Sequence, residues 1–171
     1  MMKLLKTGLV LMIITTIAAL LLAFTYYNVK PRIEEQLSEE VKQALQEVMP
    51  LADDFKQVGE EYEAYKDDEL VGRIRIVEAR GYSSTIKTMV GVDLVGKVTA
   101  IKILSQQETP GLGTRIEDIK PGEQKPWFQQ QFKGKTIEEL KLKKEGGQVD
   151  GITGATVSSK AVTDSVMEAI E

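Results

Sequence analysis

Ile86-Lys87-Thr88-Met89-Val90-Gly91-Val92-Asp93-Leu94 is followed across Val95-Gly96 by Val98-Thr99-Ala100-Ile101-Lys102-Ile103-Leu104. The first run alternates through Thr88, Val90 and Val92, which is the period-2 pattern of a strand with one face buried. The Val95-Gly96 step then reverses the chain into the second run, so the pair reads as a hairpin. Upstream, residues 70–79 alternate in the same way around Ile74 and Ile76, with Arg73 and Arg75 on the opposite face. Gly81-Tyr82-Ser83-Ser84 is the loop joining it to the next strand. These segments predict at least three strands of a twisted antiparallel sheet with flanking helices, an α+β domain over residues 70–171.

Two further regions lie before that sheet. Residues 7–27 are almost all apolar, and no charge occurs between Lys6 and Lys30. At about 1.5 Å per helical residue such a run reaches roughly 30 Å, the thickness of a bilayer core. Tyr26 and Tyr27 fall where an interfacial aromatic belt belongs. The run is long for a cleaved signal peptide and lacks a clean small-x-small cleavage site, and a chain without cysteine has no lipobox. Residues 1–30 are therefore read as a retained single-span anchor, a transmembrane helix set in lipid. Lys3 and Lys6 on one side nearly balance Lys30 and Arg32 on the other, so the charges do not orient it; a short inner N-terminus and an outer domain is the simpler insertion. Residues 31–69 read as an acidic juxtamembrane helix and linker. Ile33, Leu37, Val41, Ala44, Leu45 and Val48 share one helical face, and Pro50 ends it. This acidic segment is a solvated stalk rather than a footprint for nucleic acid, which requires basic charge.

After the sheet come two short runs of unusual chemistry. In Glu108-Thr109-Pro110-Gly111-Leu112-Gly113 a proline fixes one dihedral and two glycines permit close backbone approach, giving a rigid, mostly bare loop. Asp150-Gly151-Ile152-Thr153-Gly154-Ala155-Thr156 is a turn with two hydroxyls and little bulk. It leads into a helix whose Val162, Val166, Ala169 and Ile170 recur at helical spacing, with Thr156 or Ser158 at the N-cap. A helix N-terminus suits a phosphate. Taken alone, each run reads first as an ordinary Pro-Gly turn or a Ser/Thr-rich helix cap. Between them, residues 116–120 form a short element stopped by Pro121-Gly122, and Trp127, Phe128 and Phe132 read as core. Leu140 and Leu142 read as a half-buried strand with Lys141, Lys143 and Lys144 in solvent. The chain has no cysteine and no histidine. That excludes disulfides, iron–sulfur clusters, the common haem ligands and Ser-His or Cys-His nucleophile pairs, so redox chemistry here requires an organic cofactor.

The run ending in Thr156 resembles the flavinylation motif of the RnfG/NqrC family of FMN-binding subunits, whose pattern is Asp, two variable residues, Ser or Thr, Gly, Ala, then Thr or Ser. Asp150, Thr153, Gly154, Ala155 and Thr156 fill every fixed place. The Glu108–Gly113 loop resembles that family's second signature. The segment from Gly81-Tyr82 to Val92-Asp93 and the Trp127, Phe128, Gly134-Lys135 pattern are also in keeping. Family members often carry a His shortly before the second signature; here Gln106 and Gln107 stand instead, which removes any role for such a His. The compact chain is closer to the Rnf branch.

The resemblance implies a covalent FMN, joined by a phosphoester to Thr156 and installed by a flavin transferase, with Asp150 serving transferase recognition or metal-assisted attachment. It implies that Gly154 and Ala155 let the phosphate approach, beside Thr153. Ser158 and Ser159 are then expected as phosphate donors, and Glu108, Thr109, Gly111, Leu112 and Gly113 are expected to line the ring side. The implied protein is a single-pass subunit of the cytoplasmic membrane, with its domain outside. It would carry electrons in an Rnf-type ferredoxin:NAD oxidoreductase complex coupled to ion translocation, between a metal-centre subunit and a second flavin subunit. No metal site and no independent catalytic activity are expected of the isolated chain. Two other readings share these features: an anchored FMN carrier of another extracytoplasmic pathway, and a non-redox anchored binding domain.

Overall fold

The computed structural model describes residues 2–171; the side chains of residues 2–7, 9–10, 13, 25 and 27–38 lie outside the described set. The chain divides into two units, one ending at Lys42 and one running from Gln43 to Glu171. Helix α1 (Met2–Val48) supplies the described residues of the first unit and the opening residues of the second. In the first unit Leu11, Met12, Ile14, Ile17, Leu20 and Leu22 are exposed. Thr15 and Thr16 each return a hydroxyl hydrogen bond to the carbonyl of Met12, at 3.0 and 2.8 Å, which keeps those polar groups satisfied within the helix. Among the described residues no helix is long and apolar enough to cross a membrane. The expected span falls partly outside the described side chains, at Thr7, Leu9, Val10, Ile13, Thr25 and Tyr27. So do the flanking charges Lys3, Lys6, Lys30 and Arg32, and the amphipathic positions Ile33 and Leu37.

The second unit is built on a five-stranded antiparallel meander in the order β1-β2-β3-β4-β5. The strands are β1 (Asp54–Val58), β2 (Glu61–Lys66), β3 (Glu69–Arg80), β4 (Thr85–Asp93) and β5 (Val98–Ser105). The three strands expected from alternation are present, with Arg75 opposite Val90 and Val90 opposite Ile101. Residues 54–66, expected to be linker, instead contribute β1 and β2. Their turns carry the signal: Gly59 has φ +66°, and Asp67 and Asp68 have φ 51° and 64°. Two successive positive φ values in a two-residue loop define a type I′ hairpin, for which Asp is among the tolerant residues.

Both faces of the sheet are covered. On one, helix α3 (Thr156–Ile170) buries Ala161, Val162, Val166 and Ala169 against Val77, Ile86, Val90, Ile101 and Ile103. Arg73 and Arg75, expected on the face opposite Ile74 and Ile76, lie on this side, and Arg75 Nη1 donates to the Glu168 carbonyl at 2.7 Å. On the other face lies the end of α1. A Cβ at Gly91 would come within 2.6 Å of Val48, and one at Gly72 within 2.6 Å of Met49, so both glycines are there to admit the helix. Thr99 fixes that approach by donating to the Val48 carbonyl at 2.7 Å.

The long segment between β5 and α3 is mostly turns. A 3-10 turn (Gly113–Glu117) leads to the short helix α2 (Trp127–Gln130). Phe128 and Phe132 are fully buried and meet edge to face at 5.5 Å between centroids, as an aromatic core pair should. The expected strand at 140–142 is not formed. Leu142 makes a single parallel bridge to Val149, and Lys143–Glu145 is a 3-10 turn closed by Gly146 at φ +88°. Leu140 and Leu142 are nevertheless buried and the lysines exposed, so the pattern reported burial correctly and conformation wrongly.

Candidate functional site

Two turns of one type face each other at the mouth of a cleft. In the first, Thr109-Pro110-Gly111-Leu112, the Leu112 N–H donates to the Thr109 carbonyl at 3.1 Å and Gly111 has φ +74°. In the second, Ile152-Thr153-Gly154-Ala155, the Ala155 N–H donates to the Ile152 carbonyl at 3.0 Å and Gly154 has φ +82°. Both are type II turns, which require a glycine at the third position. They meet where the Leu112 side chain lies over Gly154; a Cβ there would stand 3.3 Å from Leu112 Cδ2. Sequence runs more than forty residues apart thus become two lips of one opening.

The cleft between them encloses about 520 Å³, within the ~300–1,000 Å³ range of small-molecule sites. One wall is Glu108, Thr109, Leu112 and Gly113; the other is Gly154, Ala155, Thr156 and Ser158. Tyr82 and Val157, which sequence reasoning did not assign, complete it. Tyr82 is 71% exposed and Val157 48%, so the cleft presents apolar faces to solvent. The signal for Tyr82 was an aromatic side chain in a small-residue loop, Gly81-Tyr82-Ser83-Ser84. Gly111, Thr153, Ser159 and Asp150 do not line the cleft. A larger groove, of about 600 Å³, runs between Met49, Ala100 and Pro126 and contains none of these residues.

Helix α3 opens at Thr156. Its N-cap is Ala155, with no side-chain cap, where a hydroxyl at Thr156 or Ser158 was expected. The first helical hydrogen bond to Ala155 is the Ser159 N–H, at 3.0 Å, which leaves the N–H groups of Thr156, Val157 and Ser158 without a helical acceptor. The two serines expected as phosphate donors are engaged inside the protein. Ser159 Oγ donates to the Ala155 carbonyl and accepts the Ile152 N–H, both at 2.9 Å, locking the turn. Ser158 Oγ donates to Glu108 Oε2 at 2.5 Å. Among the described residues the Thr153 and Thr156 hydroxyls have no hydrogen-bond partner, and both residues are exposed.

Glu108 is 4% exposed and turns its carboxylate inward. Oε1 accepts from the Ser83 N–H, the Ser84 N–H and the Ser84 hydroxyl at 2.9–3.0 Å. Oε2 accepts from the Tyr82 N–H at 3.0 Å besides Ser158. Burial alone would raise its pKa. The hydrogen bonds from Ser158 Oγ and the Ser84, Ser83 and Tyr82 amides outweigh it and hold the group at about 2. Ser83 Oγ and Thr109 Oγ1 stand 3.0 Å apart, a second tie between the same loops. Asp150 lies outside the cleft on the surface, its carboxylate 2.7 Å from Lys143 Nζ. Its backbone is held from both sides by the Gln131 amide, at 2.8 and 3.2 Å.

An apolar cleft ending in helix N–H groups without a helical acceptor and an exposed threonine fits a flat ligand bearing a phosphate, and residues 81–171 match the model of the FMN-binding domain. The domain is thus of the FMN-binding class. Residues 1–48 match a second model, the RnfG N-terminal region. The chain is 32% identical, over 97% of its length and 92% of the relative's, to the G subunit of the ion-translocating oxidoreductase complex of Methanosarcina acetivorans. It is also 32% identical to the G subunit of the Na(+)-translocating ferredoxin:NAD(+) oxidoreductase complex of Acetobacterium woodii, over 97% of the chain and 89% of the relative. The chain belongs to this RnfG family. Among solved structures, Shewanella oneidensis NqrC is similar with a TM-score of 0.53 at 18% identity, covering 72% of this chain and 68% of that one, a likeness of fold. The C subunit of the Na(+)-translocating NADH-quinone reductase of Parabacteroides distasonis gives 0.50 at 28% identity, over 64% of this chain and 58% of that one.

Proposed function

We propose that this chain is the FMN-carrying electron-transfer subunit of an Rnf-type ferredoxin:NAD oxidoreductase complex coupled to ion translocation, with the FMN joined through a phosphoester to Thr156. The observation that carries the reading is the match to RnfG relatives across nearly the whole chain, with both family models in their order along it. When bound, FMN supplies electron chemistry that a chain without cysteine or histidine cannot perform with its own side chains. The chain's part is to hold it. The unpaired N–H groups of Thr156, Val157 and Ser158 receive the phosphate at the positive end of α3. Gly154 keeps the backbone bare beside it, and Tyr82, Leu112 and Val157 offer apolar surface to the ring. Thr156 supports the attachment because its hydroxyl is exposed and has no partner in the described structure. Asp150, exposed beside Lys143, is the mark read by the flavin transferase.

Residues 7–27 hold the protein in the cytoplasmic membrane, with the domain on the extracytoplasmic side. There it receives electrons from a metal-centre subunit and passes them to a second flavin subunit. The test is intact mass of the native protein with in-gel flavin fluorescence after denaturation. A gain of one FMN less the elements of water, mapped to the peptide holding Thr156, is the expected result. No flavin on protein made together with a competent transferase would overturn the reading.

A further inference from the structure

We propose that Glu108 is a positioning residue of the cleft: its carboxylate ties the 82–84 loop and the first turn of α3 to the loop that begins at Glu108, and so sets the spacing of the cleft walls. The inference rests on the flavin reading above for its consequence, though not for its geometry. Five donors converge on this one group, three of them backbone amides of consecutive residues, Tyr82, Ser83 and Ser84. A carboxylate has about four lone-pair sites, so this one has no capacity left for a donor on a ligand. Its influence on a bound ring is exerted through the walls.

The surrounding backbone is shaped to admit it. A Cβ at Gly81 would lie 2.6 Å from Glu108 Oε1, and one at Gly113 would lie 2.6 Å from Glu108 Cβ and 2.8 Å from Ser158 Oγ. Two glycines that flank the cleft therefore make room for the carboxylate and its serine. An amide cannot replace it. With Gln at 108 the NH2 faces the Tyr82 N–H in one orientation and the Ser83 and Ser84 N–H groups in the other, and a backbone N–H cannot reverse to accept.

The experiment uses the full chain made with a flavin transferase and compares Glu108→Gln with Phe132→Leu, a destabilising core substitution at a residue that does not line the cleft. Two readouts are taken: amide hydrogen exchange at residues 82–84, and the visible absorption and midpoint potential of the flavin. In Glu108→Gln the 82–84 amides should exchange at least about tenfold faster, the effect of losing some 1.4 kcal/mol of local protection. The β3–β4 ladder should keep its rate, and the flavin band and potential should shift. Phe132→Leu should leave band and potential as in the unaltered chain. If Glu108→Gln does not fold, Gly81→Ala pushes on the same carboxylate and should shift band and exchange in the same direction. Unchanged exchange at 82–84 overturns the proposal, as does faster exchange with an unmoved band and potential. If the unaltered chain takes up no flavin, the flavin reading fails, while the exchange result still decides whether Glu108 sets the walls.

Discussion

Helix α3 and the turn before it contain the same residue types in two opposite situations. Within the helix, Ser158, Ser159, Thr163 and Ser165 are buried, and each hydroxyl is bonded, to Glu108 or to a carbonyl four residues back, at 2.5–2.9 Å. At its entrance Thr153 and Thr156 are exposed and bonded to nothing in the described structure. A buried hydroxyl must be satisfied, and once satisfied it is poorly placed for chemistry with a ligand. An exposed, unbonded one can change partners without loss. Between Thr153 and Thr156 at the entrance and Ser158 and Ser159 just after them, the structure thus separates hydroxyls engaged in the fold from hydroxyls left exposed.

The sharpest way to break this comparison is to remove the open hydroxyl. Thr156→Ala should abolish covalent flavin and change stability by no more than about 0.5 kcal/mol, as for an exposed position. Thr156→Ser should retain the flavin. Mass of the variants and their thermal unfolding check both halves. Flavin persisting on Thr156→Ala would move the assignment to Thr153, whose hydroxyl is equally open.

A second test concerns the acceptor at the buried end. The Glu108 pKa of about 2 lies below its ordinary 4.5, so the group's contribution is fully present above about pH 4.5 and is lost as the pH falls toward 2. The difference corresponds to about 3 kcal/mol. Urea unfolding of the unaltered chain between pH 6 and 2 should show that loss beyond the other carboxylates' contribution. Glu108→Gln should start lower and lack this component, so the two curves converge in acid. Parallel curves would mean that the carboxylate is not held by these five donors.

Much of this arrangement was legible in the residues, for identifiable reasons. Strands β3 to β5 announced themselves because their inward faces carry Ile and Val at period 2. Strands β1 and β2 did not: β1 exposes four of its five residues and β2 interleaves Glu with Tyr, so their charge hides the period-2 signal. Their turn residues, Gly59 and Asp67-Asp68, were the available signal. At the site, the two glycine turns and Thr156 were readable as motifs. The engagement of Ser158 and Ser159 was not, because it depends on Glu108 arriving from fifty residues away and on an Ile152 amide left over by the turn. Hydroxyl count is a sequence property; hydroxyl satisfaction is a tertiary one.

Ser159→Ala probes that engagement. It strands the buried Ile152 N–H and frees the Ala155 carbonyl of one of its two donors, an effect of about 1–3 kcal/mol. Stability should fall by that amount, while flavin remains on Thr156, whose hydroxyl is untouched. Loss of flavin with little loss of stability would reverse the roles assigned to the two hydroxyls.

Thr88 is the exception to the pattern and gives the smallest predicted effect. It sits in β4 opposite Val77 and Ile103, its side chain is fully buried, and among the described residues its Oγ1 has no hydrogen-bond partner. A hydroxyl in that position was desolvated on folding with nothing gained in return. Valine has nearly the same shape, places a methyl where the oxygen stood and suits a strand. Thr88→Val should therefore leave the flavin unchanged and raise stability by up to about 1 kcal/mol, seen as a small upward shift of the urea midpoint at constant slope. A loss of more than about 1 kcal/mol would show that this hydroxyl has a partner in solution, and that the helix and the sheet obey the same rule.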